Sequence, residues 1–144
     1  MKYAVLSVVT LVAVLMGVGS GMAAGPVSAG VGTLITAPGG SYHQIGPTAL
    51  KTMLAQKDFT FVNVHIPYEG EIAQTDVHVP YDQLAEQVAR FPADRNAKIV
   101  LYCRTGHMSR IAAEALVRLG YTNVWDLVGG FEGWKGAGFP LVSR

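Results

Sequence analysis

Cysteine occurs once in these 144 residues, at position 103, so no internal disulfide can form. Charge is scarce as well: 11 Lys and Arg against 10 Asp and Glu, a net of +1, with no basic cluster. That balance excludes nucleic acid as a partner. The four histidines, His43, His65, His78 and His107, do not fall at metal-ligand spacing, and no metal is expected. No internal repeat is present, and the length suits one domain. Between Lys2 and Lys51 there is no charged residue at all. Ala4 to Met16 is strongly apolar, and small residues then take over through Ala23 and Ala24. Residues 1–24 therefore have the layout of a secretory signal peptide. The rival reading is an uncleaved membrane anchor through residues 3–24, long enough to span a bilayer but weakened by its glycines. No cysteine sits near the end of the apolar run, which excludes a lipoprotein anchor. Either way the folded part is expected to be exported, in a periplasmic or other extracytoplasmic space. An unpaired thiol in an oxidising compartment is better read as a reagent than as a bystander.

What the chain does have is a junction at that cysteine. Ile99-Val100-Leu101-Tyr102 is a buried-strand pattern that ends at Cys103. A short polar turn with Gly106 follows, then Ser109 as a candidate N-cap for a helix with Ile111, Ala112, Ala115, Leu116 and Leu119 on one side. Strand, tight loop and helix N-terminus together point backbone N–H groups at one place and favour negative charge there. A cysteine in that position is expected to be partly thiolate, its nucleophilic form. The bland alternative is a buried structural thiol.

Around this junction the chain alternates strand and helix. Gly25 to Ser41 is rich in Gly, Ala and Pro and reads as a linker, residues 25–41, with the folded domain at 42–144. Pro47 opens a short helix with Leu50, Met53 and Leu54, and Phe59 to His65 reads as a strand. Pro80-Tyr81-Asp82 begins a further helix carrying Leu84, Val88 and Phe91 and stopped by Pro92. Thr122 to Leu127 is a strand, and Gly129-Gly130 leads into a short terminal helix with Trp134. Such alternation predicts an α/β fold: a small domain with a central, mostly parallel sheet and helices on both faces.

Two pieces, Tyr102 to Ser109 (YCRTGHMS) and Leu119 to Trp134 (LGYTNVWDLVGGFEGW), resemble the rhodanese (sulfurtransferase) family, with a likeness running from about Pro47 to Leu141. The resemblance implies a rhodanese-like domain in which Cys103 attacks a sulfane sulfur and carries it as a persulfide. The substrate-binding loop would be Arg104, Thr105, Gly106, His107, Met108 and Ser109. The donor would be a small sulfur-donor anion or a persulfide; the acceptor would be a thiol, cyanide or a protein thiol. No cofactor is implied. Arg104 follows the cysteine directly and suits a sulfonate-like donor such as thiosulfate. Arg110 falls on the first helical turn, where its charge opposes the helix dipole.

The chain departs from the family at two places. Many active members carry a second arginine where Met108 stands, which puts thiosulfate in doubt as the donor. An Asp-x-Arg pair commonly ends the strand at 59–65, where this chain has Asn63 and His65. Asn63 can still brace the loop by hydrogen bonding its backbone. Glu69 and Glu71 read as a solvated loop, because thiolate attack on sulfur needs no general acid. Trp125 and Trp134 read as packing residues. A phosphatase or arsenate reductase needs an arginine six places after its cysteine, and Ser109 stands there with Arg110 one residue late. The remaining rival is a catalytically weak rhodanese-fold module that binds a partner protein.

Overall fold

The computed structural model describes residues 32–143. The signal-or-anchor segment, and the part of the expected linker before Gly32, lie outside them. Six strands form one sheet in the order β1-β2-β6-β5-β3-β4. They are β1 Thr33–Ala37, β2 Gly40–Ile45, β3 Thr60–Asn63, β4 Val77–His78, β5 Ile99–Tyr102 and β6 Val124–Leu127. The helices are α1 Pro47–Ala55, α2 His107–Arg118 and α3 Gly130–Gly136. Every strand pair is parallel except β1 with β2.

That exception corrects the linker expectation. Residues 33–41 are a hairpin arm, not a loose connection: Ala37 pairs with Gly40 across Pro38-Gly39. Proline followed by a glycine at φ +92° is a type II turn pattern. The breaker residues therefore mark a turn between two strands. The alternation in Thr33–Ala37 was hidden by a composition that looks like linker. β2 then runs parallel to β6, and His43 stacks on Trp125 with ring centroids 4.2 Å apart.

The central strand β5 is fully buried and divides its side chains by the two-residue period. Ile99, Leu101 and Cys103 face the core under α2, with Ala112, Ala113, Leu116 and Val117. Val100 and Tyr102 face the other core, with Leu50 and Leu54 of α1 and Phe131 and Trp134 of α3. Helices thus cover both faces of a mostly parallel sheet.

The helix expected from Pro80 to Phe91 is absent. Backbone bonds there switch between three- and four-residue steps, as in Gln83 N–H to the Pro80 carbonyl and Gln87 N–H to the Gln83 carbonyl. Only Val88–Arg90 closes a 3₁₀ turn. Leu84 and Phe91 are buried all the same. Their spacing reflected which side faces the core. Tyr81 N–H is committed to the Val64 carbonyl, which ties the start of the run to the end of β3 instead of to a helical turn.

Candidate active site

β5 delivers Cys103 to the carboxyl end of the sheet, and the chain turns at once into α2. Gly106 makes the turn, with φ +101°, and is itself the residue preceding the helix. Its N–H donates to Cys103 Sγ at 3.0 Å. The cysteine is only 1% exposed. The helix therefore starts three residues earlier than a cap at Ser109 would place it, and Ser109 is not its cap. Ser109 is buried in the first turn, where glycine has replaced a side-chain cap to let the backbone close on the sulfur.

The loop is held from behind by the residues after β6. Phe131 N–H donates to the Cys103 carbonyl at 2.9 Å, and Glu132 N–H donates to the Arg104 carbonyl at 3.0 Å. This approach requires Gly130: a Cβ there would lie 2.3 Å from the Cys103 carbonyl oxygen. The first turn of α3 thus uses donors that a helix end leaves free to lock the backbone of the nucleophile.

On one flank the end of β3 supports the site. Asn63 Oδ1 accepts from His65 N–H at 3.0 Å, and Asn63 Nδ2 donates to the Gly70 carbonyl at 3.1 Å. His65 meets Glu69 Oε2 at 2.6 Å and sets its ring edge-on to Phe131. Glu69 is also 3.5 Å from Arg104, whose Nε lies 3.4 Å from Glu132. The loop arginine lies between two carboxylates, of which Glu132 is shared with Lys135 at 3.0 Å.

On the other flank, beneath the first turn of α2, Asp126 of β6 is completely buried. Its Oδ2 accepts from Gln44 Nε2 at 3.2 Å, while Oδ1 has no hydrogen-bond partner. Burial pushes its carboxyl up to about 6, against the pull of Ser109, Gln44 and the nearby Arg110. Arg110 Nε donates to the Gly106 carbonyl at 3.3 Å.

A family model described as the rhodanese-like domain matches residues 47–137. The chain belongs to the rhodanese-like family. A thiosulfate sulfurtransferase of Coxiella burnetii is 30% identical over 96 residues, 65% of this chain and 88% of the relative. A sulfurtransferase of Allochromatium vinosum is 31% identical over 106 residues, 70% of this chain and 95% of the relative. Among solved structures, a rhodanese-related protein of Thermoplasma volcanium aligns with a TM-score of 0.61 at 30% identity, covering 70% of this chain and 98% of its own.

Within this rhodanese-like domain the residues singled out in the loop separate into three groups. Cys103 and Gly106 meet at the sulfur. Arg104, Thr105 and His107 are exposed around the rim. Met108 and Ser109 turn away from it: Met108 is half-buried against the core under α2, and Ser109 is fully buried. Glu69, read from sequence as a solvated loop residue, is instead a partner of both His65 and Arg104. Sequence reasoning missed Asp126 entirely. Its one signal was an acidic residue inside the otherwise apolar strand VWDL.

Proposed function

We propose that this protein is an exported sulfurtransferase that carries sulfane sulfur as a persulfide on Cys103. The observation that carries this reading is the 3.0 Å contact from Gly106 N–H to Cys103 Sγ, in a loop locked by α3. A fixed backbone donor next to a helix N-terminus stabilises negative charge on the sulfur without reorganising during reaction. In the first step Cys103 thiolate attacks the outer sulfur of a donor. A new sulfur–sulfur bond forms, the donor's own bond to that sulfur breaks, and the electron pair leaves with sulfite or with the donor's thiolate. In the second step a thiol, cyanide or protein thiol removes the sulfur.

Arg104 is engaged by Glu69 and Glu132, and Met108 brings no charge to the loop. Uncharged or protein-borne persulfide donors therefore suit the site better than a dianion such as thiosulfate. The test is intact-protein mass spectrometry after incubation with polysulfide or thiosulfate. Wild type gains about 32 Da, one sulfur atom, and Cys103→Ser gains nothing. No gain with either donor would leave only the reading of a rhodanese fold that binds a partner. Export rests on the sequence of residues 1–24. A fusion of residues 1–41 to a reporter active only outside the cytoplasm should be active, and a silent fusion would remove export from the proposal.

A further inference from the structure

The two edges of the sheet are finished differently. At one edge β4 is two residues long, Pro80 follows it closely, and the His78 carbonyl accepts from Arg90 Nη1 at 2.9 Å. Short length, proline and a charged side chain are devices that keep a sheet edge from pairing with another chain. At the other edge β1 has none of them. It is five residues long, contains neither proline nor charge, and lies in a stretch without Asp, Glu, Lys or Arg from Tyr3 to Leu50. Leu34 is 60% exposed, more than any other large hydrophobic side chain among the described residues. Ala37 and Gly40 flank the two-residue turn as a hydrogen-bonded pair. The antiparallel alternation therefore aims the backbone groups of Thr33, Ile35 and Ala37 at β2, and those of Leu34 and Thr36 away from it. No other described residue bonds to the N–H or C=O of Leu34 or Thr36. The Leu34 side chain extends the row of His43 on β2 and Trp125 on β6, while Ile35 lies on the opposite face, half-buried against the core under α2.

We propose that β1 is a dimerisation edge, occupied by β1 of a second copy of this chain, paired antiparallel about a two-fold axis at Ile35. The register follows from which groups point outward. Leu34 of one copy opposes Thr36 of the other, and each opposed pair exchanges two backbone bonds. The same two residues recur on both sides of the axis, so the edge is complementary to itself, as a two-fold interface requires. Between them Ile35 faces the partner's Ile35 as a non-hydrogen-bonded pair, with Cα atoms about 4.5 Å apart. On the other face the two Leu34 side chains are diagonal neighbours, about 7–8 Å apart and within reach of each other. Identical strands set side by side bring like charges together wherever they carry any, and β1 carries none. The axis stands perpendicular to the sheet, so the parallel strands of the two copies run in opposite directions. The two cysteine loops then lie at opposite ends of one continuous sheet, and neither is covered by the pairing.

Sedimentation equilibrium on the full-length protein should show wild type passing from one chain mass to two as concentration rises. Thr36→Pro removes an N–H that only the second copy uses. Proline is tolerated on an edge strand with that side toward solvent, so this variant should be a folded monomer by circular dichroism and sedimentation. Leu34→Lys and Leu34→Glu each set like charges against one another across the axis, and each should be monomeric. Mixed together, the two should recover the dimer through diagonal Lys–Glu pairs. Hydrogen exchange at the Leu34 and Thr36 amides should slow roughly tenfold from dilute to concentrated wild type and stay fast in Leu34→Lys. A wild type that is still monomeric at millimolar concentration, a dimer that survives in Thr36→Pro, or charge variants that fail to associate on mixing would overturn the proposal. Slow exchange at Leu34 and Thr36 in a monomeric wild type would overturn it as well, by giving the edge to another part of the same chain.

Discussion

Asp126→Asn should make folding stability less dependent on pH, with a sign and size that follow from the buried carboxyl. Burial lifts its proton affinity from an ordinary value of 3.8 to about 6. The folded protein therefore holds a proton that the unfolded chain gives up between about pH 4 and pH 6. Below that window both states are protonated and the group contributes no pH dependence. Through it, stability falls as pH rises, because the folded state binds more protons than the unfolded state. Above it the full cost applies. At about 1.4 kcal/mol for each tenfold change in proton affinity, a rise from 3.8 to about 6 costs about 3 kcal/mol at neutral pH. Two other groups face this carboxyl: Arg110, and Tyr42, whose hydroxyl is pushed up by its own burial and by Asp126 and does not ionise in this range. The exposed carboxylates are common to both proteins and cancel in the difference. Urea unfolding of wild type and Asp126→Asn at pH 4, 5, 6 and 7.5 should show the variant gaining about 2–3 kcal/mol on wild type across that range. Any fixed penalty for burying the asparagine amide shifts the whole difference curve without changing its slope. A difference that is flat from pH 4 to 7.5, or that slopes the other way, would show that the carboxylate is well paired in the fold and would refute the reasoning.

Three further outcomes are expected. Cys103→Ser should abolish sulfur uptake while thermal unfolding stays within a few degrees of wild type, since the buried site accepts a nearly isosteric group; turnover near wild type would exclude the mechanism. Gly130→Ala should destabilise the domain by about 2–4 kcal/mol in urea unfolding, because a methyl at 2.3 Å from the Cys103 carbonyl forces the backbone apart; an effect under about 0.5 kcal/mol would mean the loop is not locked by α3. The double variant Glu69→Gln, Glu132→Gln should release Arg104 and raise kcat/KM for thiosulfate roughly twofold to fivefold, the scale of exposed ion pairs, with little change for an uncharged persulfide donor; a fall with thiosulfate would show that the clamped arginine is already positioned for it.

Much of the architecture was legible because it is local. The apolar run Ile99 to Tyr102, the glycine at 106 and the helical spacing from Ile111 to Leu119 predict strand, turn and helix, and β5, Gly106 and α2 are found there. Features that depend on distant partners were not legible. Thr33–Ala37 is a strand because β2 lies beside it. Leu84 and Phe91 are buried without a helix to carry them. At the site, Cys103 could be singled out by its position at a strand end. The role of Glu69 could not, because its partner Arg104 lies far along the chain. Asp126 was invisible for the same reason: an acidic residue in a strand becomes informative only when Gln44 and Arg110 are placed against it. Met108 belongs to the loop by its place in the sequence, and its half-buried side chain packs on the core under α2.

The two bonds from the start of α3 to the carbonyls of Cys103 and Arg104 also bear on biosynthesis. The ribosome has completed the whole cysteine loop well before residues 130 to 132 are added, so for that interval the thiol is present without the clamp that shapes its surroundings. Domains fold largely as units once their pieces are available. A nascent chain stopped just short of Gly130 would carry every residue of the nucleophilic loop and still lack the backbone lock. The reactive geometry thus matures late, when the C-terminal segment docks, and the thiol acquires its shaped pocket only as the domain closes around it.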